Sequence, residues 1–227
     1  MYIRLICPGF RGQYPPLKKI TIKGFSKHLR NEIVKLKLDN YIVSGVSFGF
    51  WVLNNTKLTK GCRGVIAIEP YVNSKCLNSQ RISGTKRTFY RAVIKIILFL
   101  RLEKIIWDSR VWRKHYLGLS GYRAKRSKII LREIDPKTFF VSAYMILGNS
   151  QKATLHDLPH VLVFNPSDLT LDMKFIQNFF KKNSWRLMLI NTKIGHYPRK
   201  VTKGYFQKKI SRDDIRRIYE FFDSYDG

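Results

Sequence analysis

The segment Gly45-Val46-Ser47-Phe48-Gly49 constrains this chain more than any other. It stands directly behind the β-branched run Tyr41-Ile42-Val43 and directly ahead of Phe50-Trp51-Val52-Leu53, an apolar run of helical character. A strand that turns abruptly into a helix needs small residues around the turn. The residue at the tip then adopts a strained backbone and projects its side chain at the C-terminal edge of a parallel sheet. Here that residue is a serine. A bare G-x-S-x-G is a weak pattern, since turns use glycine and serine freely. Its meaning rests on what the rest of the chain places beside it.

The flanking elements alternate. Tyr2 to Cys7 reads as a first strand and breaks at Pro8-Gly9-Phe10-Arg11-Gly12. Lys19 to Ile22 reads as a short strand, and Ser26 to Leu38 as a helix with Ser26 as its cap. Then come a strand at Tyr41–Ser44, a helix from Phe48 to Asn55 and a buried strand from Gly64 to Glu69. From about 73 to 150 the texture changes: helical stretches Thr88–Trp107 and Pro136–Leu147 enclose a basic, Tyr/Trp-rich middle. Alternation resumes with the strand His160–Phe164, a helix from Met173 to Lys181 and a strand from Arg186 to Ile190. A last helix, capped by Ser211, runs to about Tyr225. Strand–helix alternation of this kind predicts a mostly parallel sheet covered by helices on both faces. At 227 residues the chain is expected to be one domain, 1–227, with 73–150 as a helical insertion.

In such a sheet the loops after successive strands meet at one edge. After His160–Phe164 the chain carries Asn165-Pro166-Ser167-Asp168, and after Arg186–Ile190 it carries Gly195-His196-Tyr197-Pro198. A serine becomes a nucleophile when a histidine takes its proton, and the histidine needs a carboxylate to hold its tautomer. Ser47, Asp168 and His196 occur in that order, each on a loop after a strand. Asp172 and Glu69 are the alternative acids. Asp172 stands where it can cap the Met173 helix, and Glu69 ends the preceding strand. His28, His115, His156 and His160 sit on a helix, in the basic insertion, or at a strand start, where surface and capping roles are commoner.

Taken together, Cys7-Pro8-Gly9-Phe10-Arg11-Gly12, the Gly45–Gly49 elbow, Val161–Asp168 and Gly195–Pro198 resemble the α/β-hydrolase superfamily over nearly the whole chain. Aligned this way, the chain begins at the family's third strand, a trimmed N-terminus, and Pro8 stands where the family usually has histidine. The resemblance implies the α/β-hydrolase fold with a helical lid at 73–150. It further implies a serine hydrolase, esterase- or lipase-like, working through an acyl-enzyme. Ser47, Asp168 and His196 would form its triad, and the backbone N–H groups of Phe10 and Phe48 its oxyanion hole. Two other readings stand beside it: an acyltransferase or peptidase of the same fold, and a non-catalytic basic protein that binds nucleic acid or an anionic membrane.

Composition narrows these further. With 43 Lys+Arg against 15 Asp+Glu the net charge is +28, a field that attracts anions of every kind. Fifteen of the basic residues lie between Arg81 and Arg132, among only two acids, Glu103 and Asp108. This favours a small acyl ester of anionic or lipid-like character as substrate, and transient contact with an anionic membrane surface. Lysine-rich usage with no functional consequence is the plainer alternative. No nucleic-acid-binding motif accompanies the charge, so a nucleic-acid partner is not expected. Neither a phosphate-binding loop nor a metal-ligand motif is present, so no cofactor and no metal are expected. Three scattered cysteines without C-x-x-C argue against a disulfide framework or zinc site and fit a reducing, cytoplasmic setting. The Ala92–Leu100 run, broken by Lys95, falls well short of the ~20 residues that span a bilayer.

Overall fold

The computed structural model describes residues 7–10, 14–112, 132–151, 153–193 and 211–224. Among the described residues four strands form the sheet: β1 (Tyr41–Val46), β2 (Cys62–Ile68), β3 (His160–Phe164) and β4 (Leu187–Asn191). They lie in the order β1-β2-β3-β4, every pair parallel. The register aligns Val46 with Ile68, Ile68 with Val163, and Val163 with Ile190. All four strands therefore end at one edge, and whatever follows them in sequence is gathered there.

Side-chain alternation splits the core into two layers. On one face Val65, Ala67, Leu162 and Phe164 pack with Phe50 and Leu53 of α2 (Phe48–Asn54) and with Ile176 and Phe180 of α6 (Met173–Asn183). On the other, Val161, Val163 and Ile190 pack under Phe222 of α7 (Arg212–Asp223). β3 is buried along all five residues, as a central parallel strand covered on both faces must be. The expected layered α/β architecture is what the chain forms.

Helix α1 (Ile22–Lys35) corrects two expectations. Lys19–Ile22 is not a strand: Thr21 caps the helix, its Oγ1 accepting from the Gly24 N–H at 3.0 Å. Ser26 is not the cap but an interior residue, buried, with its hydroxyl donating to the carbonyls of Ile22 and Val52. That second bond ties α1 to α2. The strand expected at Tyr2–Cys7 lies outside the described residues, apart from Cys7.

Between β2 and β3 the chain runs through a short 3₁₀ turn (Ser74–Cys76), α3 (Gly84–Phe99), α4 (Glu103–Asp108) and α5 (Pro136–Gly148). The single helix expected over Thr88–Trp107 is thus two. Arg101 breaks it with φ 54°, while the Leu102 N–H reaches back to the Ile97 carbonyl at 2.9 Å, a helix-terminating pattern usually given to glycine. Asp135 caps α5 by accepting from the Thr138 N–H at 2.7 Å.

Candidate active site

Ser47 joins β1 to α2 with φ 50° and ψ −121°, a backbone conformation that non-glycine residues rarely hold. Residues in such regions store on the order of 1–3 kcal/mol of strain, retained only where the surroundings enforce it. The enforcement is visible. The Ser47 N–H donates to the Ile68 carbonyl at 3.1 Å, and the Ser47 carbonyl accepts from Phe50 at 3.0 Å and Tyr71 at 3.3 Å. A Cβ on Gly45 would lie 2.6 Å from the Phe50 Cα, so the close strand–helix packing tolerates only glycine there. Ser47 occupies the N-cap position, yet its hydroxyl does not cap the helix, which is the ordinary use of serine at that place.

The adjoining strand ends supply two carboxylates. Glu69 follows β2 with φ 43°, and its N–H donates to the Val163 carbonyl at 2.9 Å. Asp168 follows β3 on a tight loop in which Asn165 Oδ1 accepts from the Ser167 N–H at 2.9 Å. Asp168 Oδ1 accepts from the N–H groups of Thr170 (2.6 Å) and Leu171 (2.8 Å), which fixes the carboxylate on the loop. Both acids are buried, at 3% and 7% exposure. Loss of water, reinforced by the Asp168 charge, pushes the Glu69 carboxyl up to about 8. The two acids are therefore electrostatic neighbours. Asp172, by contrast, is exposed and caps α6, accepting from the Phe175 N–H at 3.0 Å.

Phe10 and Phe48 come together, their ring centroids 5.8 Å apart. Phe25 and Trp51 complete an aromatic cluster beside the elbow. As the first residue of α2, Phe48 has an N–H with no acceptor inside the helix. The Phe10 N–H is turned to the Cys7 carbonyl at 3.2 Å. The preceding Gly9 holds φ 77°, and its carbonyl accepts from the Asp135 N–H at 2.8 Å, so the inserted helices buttress this loop.

His196 lies outside the described residues, as do Gly195, Tyr197, Pro198 and His115. The other three histidines are described, each with a partner of its own. His160 starts β3, fully buried at the opposite end of the sheet, with Nδ1 3.2 Å from the Ser184 hydroxyl, and burial lowers its pKa to about 4. His156 Nε2 is 3.1 Å from the Leu53 carbonyl, and His28 packs edge-on against Tyr14.

One contributor escapes a reading of the sequence. Tyr71 donates its N–H to the elbow carbonyl, stacks its ring edge-on against Trp51 at 5.2 Å and donates its hydroxyl to the Ile146 carbonyl of α5. It clamps the elbow to the insertion. The signal available is Pro70, which ends the β2 run and aims the next residue back across the sheet edge. Among the described residues no cluster of metal-ligating side chains occurs.

No family model matches the sequence, and no curated protein sequence matches it. Solved structures do match. An esterase from Exiguobacterium antarcticum superposes over 96% of this chain and 78% of its own, with a TM-score of 0.61 at 14% identity. A thermophilic esterase from Thermogutta terrifontis superposes over 95% and 78%, with a TM-score of 0.62 at 14% identity. A bromoperoxidase from Bacillus anthracis covers 96% and 79%, with a TM-score of 0.57, also at 14% identity.

Proposed function

This chain has the α/β-hydrolase fold, and we propose that it is a serine hydrolase that cleaves a carboxylic ester through an acyl-enzyme. The observation that carries the proposal is Ser47: a strained N-cap serine, two residues after the tightly packed Gly45 and tied to the end of β2 and to Tyr71 beyond it, whose hydroxyl is not used to cap its helix. Strain of this kind, at a serine that leaves its own helix uncapped, marks a residue held for chemistry.

In the proposed reaction His196 takes the Ser47 proton as Ser47 Oγ attacks the substrate carbonyl carbon. The Phe48 N–H, and the Phe10 N–H once its turn onto Cys7 opens, stabilise the oxyanion, each donor contributing on the order of 3 kcal/mol. The ester C–O bond then breaks, the leaving alkoxide takes the proton from His196, and a water activated by the same histidine releases the acid and restores Ser47. Asp168 orients the imidazole. The loop N–H groups of Thr170 and Leu171 hold its Oδ1, which fixes the carboxylate beyond the end of β3. The place of His196 in the sequence, five residues beyond the end of β4 at Asn191, supports this assignment, as do the engagements of His156 and His160 near the opposite end of the sheet. The esterases among the structural neighbours support an acyl ester as substrate class.

A panel of p-nitrophenyl esters and thioesters of graded chain length tests the reading. Turnover of at least one ester is expected, with kcat/KM falling by roughly three orders of magnitude or more in Ser47→Ala and in His196→Ala. Turnover that survives Ser47→Ala would assign the chemistry elsewhere.

A further inference from the structure

We propose that the outward face of helix α3 is a docking surface for an anionic membrane, on which the chain lies without crossing it. The proposal is independent of the chemistry at Ser47 and starts from a packing anomaly. α3 is sixteen residues long, yet none of its residues is buried. At 100° per residue, Phe89, Val93, Ile96 and Leu100 fall on one stripe at intervals of four, three and four. Ala92 and Phe99 widen that stripe on one side. The large side chains are open to water: Phe99 is 83% exposed, Phe89 63%, Ile96 57% and Leu100 54%. Isolated exposed apolar residues are ordinary, but a continuous stripe about 16 Å long is a contact surface awaiting a partner.

Charge selects the partner. Lys86 borders the stripe on one side and Lys95 on the other, both exposed, and Arg101 and Lys104 follow at its C-terminal end. The two arginines on the packed side are engaged instead. Arg87 donates to the Ser74 carbonyl at 2.8 Å, and Arg91 stacks over the Tyr144 ring at 4.7 Å. α3 contains no acid, and of the two acids between Ser83 and Trp112, Glu103 is buried. An apolar stripe with lysines along both borders is the pattern of a helix lying in a lipid interface, apolar side chains among the acyl chains and ammonium groups at the lipid phosphates. Each lysine near a negatively charged leaflet strengthens association about fivefold. A second protein copy would bring its own excess of positive charge to the same face, and nucleic acid would leave the apolar stripe unused. Among the described residues no helix is long and apolar enough to cross a membrane, consistent with a surface mode.

Vesicle co-sedimentation of the full chain tests the surface. Vesicles of phosphatidylcholine with about 30% phosphatidylserine are compared with phosphatidylcholine alone, at about 0.15 M salt. Binding to the anionic vesicles is expected, at least tenfold weaker for neutral ones. The triple variant Phe89→Ser/Ile96→Ser/Phe99→Ser keeps every charge and alters only exposed positions. It should lose at least tenfold in partitioning with its thermal melting unchanged. Lys86→Glu/Lys95→Glu should lose the preference for anionic lipid. Undiminished vesicle binding by the triple variant would overturn the proposal, because the net positive field alone would then account for association. So would a dimer in solution that dissociates on the triple substitution, or binding to a single-stranded oligonucleotide that the triple substitution weakens equally.

Discussion

Two glycines flank Ser47, and they differ in what they do. Gly45 is wedged against the α2 backbone, where a Cβ would stand only 2.6 Å from the Phe50 Cα, whereas a Cβ on Gly49 meets nothing within 4 Å. Gly45→Ala should destabilise by about 2 kcal/mol or more, because backbone must move to admit the methyl. Gly49→Ala, in a helix and unobstructed, should stabilise by about 0.5–1 kcal/mol. Chemical denaturation of the two variants separates them. The pattern in the sequence treats both glycines alike; only the packing of α2 on β1 tells them apart. Glu69 shows the same limit. Its pairing with Asp168 spans about a hundred residues and is made by the parallel register of β2 and β3, which no local reading contains. Its carboxyl, raised from 4.5 to about 8, has a pH signature. Below about pH 4.5 folded and unfolded chains both hold the proton. Between 4.5 and 8 the unfolded chain ionises while the folded one stays protonated, so this group erodes stability as pH rises, and the full penalty is present above 8. Glu69→Gln should therefore raise the melting temperature at pH 8–9 and leave it nearly unchanged at pH 4. An equal offset at both pH values would mean the carboxyl is not held protonated.

Elements with strong local signals are legible. β3 is a short apolar run bounded by His156-Asp157-Leu158-Pro159 and Asn165-Pro166, and it forms over the residues expected, His160–Phe164. α7 carries its own start signal: Ser211 and Asp214 form a reciprocal capping box, with the Asp214 N–H 2.9 Å from Ser211 Oγ. Ser211→Ala should cost about 1 kcal/mol, read as a shift in denaturation midpoint. Farther along the same helix Phe222 is fully buried under β3 and β4, and Phe222→Ala should cost about 3–5 kcal/mol. The start of α1 is illegible because Lys19-Ile20-Thr21-Ile22 alternates polar and apolar residues as a strand does. Nothing in that alternation announces that Thr21 turns its hydroxyl to the Gly24 N–H. Ser26 resembles a cap because its actual acceptor, the Val52 carbonyl, lies on another element. The break at Arg101 is hidden for a similar reason: a left-handed arginine carries no sequence mark.

At the scale of the whole molecule, 43 basic against 15 acidic side chains make a compact state that repels itself. The melting temperature should rise between low salt and about 0.5 M salt, as screening shortens the reach of that repulsion. A flat or falling curve would show that the charges are already compensated locally. The gathering of Ser47, Glu69 and Asp168 is legible because parallel topology carries the residues after β1, β2 and β3 to the same edge, while His196 lies outside the described residues. The inserted helices are legible as helices but not in their partition, since an exposed apolar stripe on α3 reads in sequence like a buried one. The proposed function turns on Ser47. Treating the folded chain with a fluorophosphonate and locating the adduct by peptide mass spectrometry tests its role directly. One adduct is expected, on Ser47, absent from Ser47→Ala and from heat-unfolded protein. No adduct on the folded chain, or labelling undiminished in Ser47→Ala, would contradict a nucleophilic Ser47.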